Sequence, residues 1–139
     1  MISSGKIYTP SQRKIAEDPK NEPDGLLWAR INSNGIHEKQ AAVKWDKFNL
    51  NTKATEMLEK VQDYEFDIFV INKETEGNEM VVLSLYLFDK HNLFDILSIN
   101  PKTFEIFISS IQEGYNDIAY HNKIHGMDVG RLAYYYATT

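Results

Sequence analysis

Residues 120–129 read Tyr-His-Asn-Lys-Ile-His-Gly-Met-Asp-Val, the densest run of chemically useful side chains in the sequence. His121, His125 and Asp128 stand at i, i+4 and i+7, so a helix through them turns all three toward one face. A neutral imidazole offers a lone pair to a metal or a resting place for a proton in transit, and a nearby carboxylate or carbonyl fixes its second nitrogen. His125 backed by Asp128 therefore fits a metal ligand with its support, and His121 one turn away is free to act as acid or base. Spacing alone leaves two histidines on a solvated helix face as the alternative. The His-x-x-x-His pattern here lacks the adjacent glutamate of a zinc-protease motif.

The remaining candidates are weaker. His37 and His91 are isolated among polar residues and read as exposed, and Glu17, Asp18, Glu22, Glu74, Glu76 and Glu79 read as acids that solvate loops. There is no Ser/His/Asp arrangement and no glycine-rich phosphate loop. The sequence has no cysteine, so disulfides and thiolate metal sites are excluded, and a metal must rely on His, Asp, Glu or water.

At 139 residues, 42% hydrophobic and 12% aromatic, the chain suits a single globular domain with a real core. A net charge of −5, with no Lys/Arg cluster among aromatic residues, argues against nucleic acid as a partner. The N-terminus has no apolar stretch after Lys6, which speaks against a secretory signal. The longest apolar run, residues 80–88, is interrupted by Ser84 and is far short of the roughly 20 residues of a membrane span. An intracellular protein is expected, cytosolic or attached to a cytoplasmic or cytoskeletal assembly.

The elements that must position the histidines follow from periodicity. Residues 1–25 are polar and carry Pro10, Pro19 and Pro23, which predicts an extended arm; Leu26, Leu27 and Trp28 then give an apolar anchor, for this domain or for another chain. Asn32 to Gly35 reads as a turn, and residues 37–48 as a mildly amphipathic helix through Ala41, Ala42, Val43, Trp45 and Phe48. Leu50, Ala54, Met57, Leu58 and Val61 predict a helix with Asn51 or Thr52 as its cap. Residues 66–88 alternate well enough for a hairpin around a Thr75-Glu76-Gly77-Asn78 turn, and equally fit buried helices. Spacing of three and four returns at residues 93–97.

Asn100-Pro101 marks a helix start, with Asn100 as cap and Ile99 stapled against Phe104. Phe104, Phe107, Ile108, Ile111 and Tyr115 form its apolar stripe, with Phe104, Phe107 and Tyr115 read as core, and Gly114 and Asn116 sit where it should stop. A last helix carries the His-rich stretch, with Ile124, Leu132 and the Tyr134-Tyr135-Tyr136 cluster as its apolar surface. No terminator follows those tyrosines, so this helix is expected to meet other protein chains, as is the N-terminal arm.

Tyr120-His121-Asn122-x-x-His125-Gly126-x-Asp128-Val129 resembles the Tyr-His-Asn-x-x-His-Ala-x-Asp-Val pattern of class I 3′,5′-cyclic-nucleotide phosphodiesterase catalytic domains. Glu65-Phe66-Asp67-Ile68-Phe69 looks like that family's Phe-Asp-(Ile/Val)-Phe element. Residues 93–97 and 104–115 resemble the two helices before the pattern. The resemblance implies an all-α fold, the helical N-terminal subdomain of such a catalytic domain, over residues 49–139, and it overrides the hairpin. Residues 1–48 are left as an extended, partly helical arm outside it.

It further implies that the chain takes part in metal-dependent hydrolysis of cAMP or cGMP, with zinc and magnesium as the family's metals. On this reading His121 protonates the leaving 3′-oxygen, His125 is a zinc ligand, Tyr120 borders the substrate pocket, and Asn122 and Asp128 support them. Two departures stand out: Gly126 replaces alanine, and Arg131 places a bulky cation near the site. The family's His-Asp metal pair, later Asp ligand and base-holding glutamine all come downstream of this segment, with no counterpart before Thr139. A catalytic zinc needs about three protein ligands. This length of chain alone is therefore expected to be inactive and not to hold the metals by itself; the other expectation is a non-catalytic derivative acting as an interaction module in a larger assembly.

Overall fold

The computed structural model describes residues 39–139. The chain divides into two units, Met1–His37 and Glu38–Thr139, and every described residue lies in the second. The expected N-terminal arm, the Trp28 anchor and His37 fall outside the described residues. Among the described residues all regular structure is helical, with no strand, as the resemblance implied. A 3-10 turn at Asp46–Phe48 precedes helices α1 (Thr52–Glu59), α2 (Ile68–Glu74), α3 (Glu79–Lys90), α4 (Leu93–Ile96), α5 (Pro101–Gly114) and α6 (Lys123–Thr138).

Side-chain caps set most of the starts. Asn51 accepts from the Ala54 amide at 2.9 Å and opens α1, and Asp67 accepts from Phe69 at 2.9 Å and opens α2. Asn100 accepts from Lys102 and Thr103 at 2.9 and 3.2 Å, with Pro101 in the first turn of α5, as its sequence predicts. The hairpin is not formed. Residues 66–88 make α2 and α3, and the turn between them needs Glu76 at φ 52° and Gly77 at φ 85°. The alternation misled because α3 is apolar nearly all round, burying Met80, Val81, Val82, Leu83 and Leu85, and a helix of that kind satisfies either period.

Helix α3 is the centre of the molecule, packing against α2, α4, α5 and α6. Trp45 and Phe48 insert beside both of its apolar clusters. The helix expected over residues 37–48 is absent from the described part of that range. The chain runs irregularly to Trp45, makes the short turn, and ends it with Asn49 in the left-handed region at φ 47°. Two large rings spent as wedges leave no continuous apolar face to sustain a helix there.

Helices α5 and α6 are buried on one side only. Phe104 and Ile108 of α5 pack on the core, but Phe107 is 59% exposed, and Ile111 and Tyr115 also reach solvent, which corrects the reading of Phe107 and Tyr115 as core. In α6, Met127 is buried and Ile124 and Tyr134 pack inward, while Val129, Leu132 and Tyr136 remain exposed. No described helix is long and apolar enough to cross a membrane.

Arg131 is the second correction. Its side chain is buried, donating from Nε to the Val61 carbonyl at 3.1 Å and from Nη2 to the Asp63 carbonyl. The guanidinium lies 4.8 Å from the Phe66 ring centroid and 5.2 Å from that of Tyr135. It therefore caps the end of α1 and the turn after it instead of standing near the histidines. A planar group with five donors suits two carbonyls between aromatic faces, and the apolar stem completes the packing.

Candidate functional site

The site is built by Asn122. Its side-chain oxygen accepts from the His125 amide at 3.0 Å and its Nδ2 donates to the Ile118 carbonyl at 3.0 Å. One residue thus caps α6 and fastens the loop that leads into it. Because the cap falls at Asn122, α6 begins at Lys123 and His121 precedes the helix. The expected single face of His121, His125 and Asp128 is accordingly not formed.

The rings nevertheless converge. Tyr120 contacts both histidines, its centroid 4.9 Å from that of His121 and 4.4 Å from that of His125, and the two imidazoles are 5.7 Å apart, edge to face, so the three rings form a triangle. Tyr120 is 64% exposed, His121 is exposed and His125 half-buried, so the cluster faces solvent. The extended backbone of the cap brings about by a bend the proximity that the sequence assigned to helical spacing. Asp128 is half-buried on α6 and makes no hydrogen bond or ion pair with another described residue, so no carboxylate support for His125 is built here.

Metal binding is limited by the donor set. Among the described residues no group of three or more His, Asp or Glu side chains is placed to hold an ion. Zinc in a catalytic site takes about three protein ligands, and two imidazoles do not meet that demand. The residues present fit at most part of such a centre.

Beside the cluster, an open cavity of about 420 Å³ runs between the end of α5 and the start of α6, lined by Gln112, Tyr115, Asn116, Asn122, Lys123 and Ile124 among others. Tyr115 reaches from the end of α5 onto Gly126, where an added Cβ would lie 2.5 Å from its hydroxyl. The glycine that departs from the expected alanine thus gives room to a tyrosine ring. Sequence reasoning misplaced Glu79, whereas His91 is exposed as expected. Glu79 is not a loop acid but is fully buried at the start of α3, and His91 is bonded through Nε2 to the Tyr134 hydroxyl at 2.7 Å. Glu79 follows Gly77-Asn78 directly, a turn-then-acid order that signals a helix start.

The sequence matches several known phosphodiesterases. The chain is 34% identical over 68 residues to 3′,5′-cyclic-AMP phosphodiesterase 4 of Dictyostelium discoideum, covering 48% of this chain and 6% of that protein. It is 22% identical over 129 residues to probable 3′,5′-cyclic-AMP phosphodiesterase pde-4 of Caenorhabditis elegans, covering 93% of this chain and 18% of the relative. A high-affinity cAMP-specific and IBMX-insensitive 3′,5′-cyclic phosphodiesterase 8 of Drosophila melanogaster is 24% identical over 139 aligned residues, covering 88% and 15%. The chain therefore spans less than a fifth of the length of each of these relatives. No family model matches it, and no solved structure matches it significantly. These matches, with the helical architecture of the described residues, show that the chain is similar to part of the cyclic-nucleotide phosphodiesterases.

Proposed function

We propose that this chain carries part of the active site of a metal-dependent phosphodiesterase acting on cAMP or cGMP, with His121 as the general acid. The convergence of Tyr120, His121 and His125 in front of a capped helix, in a chain with phosphodiesterase homologues, supports this. When the P–O3′ bond of a cyclic phosphate breaks, the departing oxygen takes up negative charge and needs a proton. A solvent-facing imidazole, which can carry a proton on either ring nitrogen, is suited to donate one. His125 would contribute one metal ligand, Tyr120 one wall of the substrate pocket, and Asn122 the alignment of both through its cap. In any longer polypeptide that carries this chain, His121→Ala should cut turnover of cyclic nucleotide by roughly 10²–10⁴-fold. Unchanged turnover would overturn the assignment.

A second reading is a non-catalytic module that binds other protein chains. The exposed Ile106 and Phe107 of α5 and Val129 and Tyr136 of α6 favour it, because large apolar side chains left in water mark places where protein contacts form. The two readings share that surface and differ in what His121 does.

A further inference from the structure

Lys123 is the first residue of α6, where a cation meets the positive end of the helix dipole and is disfavoured. Its side chain turns away from that end. The ammonium donates to the carbonyl of Gly77 and stands 4.0 Å from Glu79 Oε2. Glu79 is fully buried at the first position of α3; Oε2 accepts from Asn72 Nδ2 at 2.8 Å, and Oε1 has no hydrogen-bond partner among the described residues. A buried carboxylate with one oxygen unsatisfied is a poor way to gain stability. What the contact does achieve is geometric: it ties the first turn of α6 to the first turn of the central helix. Asn122 sets where α6 begins but reaches only its own loop and helix. The firm core anchors of α6, Met127 and Arg131, come one and two turns later.

We infer that Glu79 and Lys123 are a positioning pair that holds the start of α6 against α3 and thereby sets the placement of His121 and His125. The consequence for catalysis rests on the phosphodiesterase reading, whereas the placement itself does not. The test is nuclear magnetic resonance of the 139-residue chain, following contacts between the rings of Tyr120, His121 and His125 together with amide exchange along α6.

Glu79→Gln removes the charge at constant shape, and Lys123→Met removes the ammonium from a side chain that is 32% exposed, so the fold survives in the second if not in the first. Both variants should weaken the ring contacts and speed exchange at the capped amides of His125 and Gly126 by roughly tenfold, the effect of about one charge-assisted hydrogen bond. Protection around Arg131 and total helix content should stay as they are. Lys123→Arg should keep the ring contacts. The inference is overturned if the rings do not touch in the unaltered chain, if Lys123→Met leaves contacts and exchange unchanged, or if protection falls equally along the whole of α6. No catalytic step enters the readout, so unchanged turnover in His121→Ala of a longer polypeptide would count against the functional reading alone.

Discussion

Helix α6 holds basic side chains with opposite fates. Arg131 is buried, bonded to two carbonyls and stacked between rings, while His125 at the near end is half-exposed beside Tyr120 and an exposed His121. The sequence places both in the same chemical stretch, and a reading by proximity assigns both to the site. The fold separates them by what surrounds each turn: in the middle of α6 Arg131 reaches the carbonyls of the turn after α1, and at its beginning Ile124 packs inward while His125 stays half-exposed. The difference teaches that residues closely spaced in a functional stretch can divide into those that hold the helix and those that the helix presents.

The largest effect expected from breaking this contrast is at Arg131. Arg131→Ala strands the Val61 and Asp63 carbonyls and removes the stem from between two rings, and should cost about 3 kcal/mol in urea unfolding, whereas His121→Ala should stay within about 0.5 kcal/mol. Equal costs would erase the distinction between holding and presenting residues. A similar pair sets α3 against α5. Leu85→Ala, at a fully buried site, should cost about 3 kcal/mol, and Phe107→Ala, at a site 59% exposed, should cost well under about 1 kcal/mol.

At the presented end, Asn122→Ala should cost about 1 kcal/mol and accelerate amide exchange in the first turn of α6 without reaching Arg131. Gly126 gives a sharper result. Alanine there gains helix propensity of roughly 1 kcal/mol but collides with the Tyr115 ring, so Gly126→Ala should stabilise more in a Tyr115→Ala background than in the original chain. Additive effects in that double-mutant cycle would show that the tyrosine is not seated on the glycine.

The smallest effect is alkaline. Burial pushes the Tyr86 phenol above its ordinary value, with Glu59 and Tyr134 adding to the shift, and burial likewise raises Tyr134. A folded-state value above the unfolded one favours the neutral phenol in the fold. That stabilisation is complete below about pH 10 and is lost as pH rises through the folded value. Tyr86→Phe and Tyr134→Phe should each flatten the fall in stability with alkaline pH, measured as urea midpoints across that range.

Much of the helical frame was legible because caps are local chemistry. Asn51, Asn100 with Pro101, and the Gly77 turn act within a few residues, and all lie where the pattern puts them. Periodicity failed where burial is not one-sided: α3 looked like a strand because almost every side of it is covered, and residues 39–48 looked helical because Trp45 and Phe48 are apolar for a different reason. Charge was the least legible property. Neither the burial of Glu79 nor the carbonyl partners of Arg131 can be read locally, because their contacts cross from one helix to another far along the chain. Of the candidate site, the nearness of His121 and His125 was foreseen, but with Asp128 as the third member on one helical face; the cap at Asn122 excludes His121 from that helix, and Tyr120 takes the third place in the cluster.

The most direct test of the central claim is hydrolysis of cAMP and cGMP by the 139-residue chain with zinc and magnesium supplied. The account gives this chain a general acid and one ligand but not the roughly three that a catalytic zinc requires, and so predicts no turnover above that of the buffer. Steady turnover that disappears in His121→Ala would contradict it, because the chain would then hold a complete site.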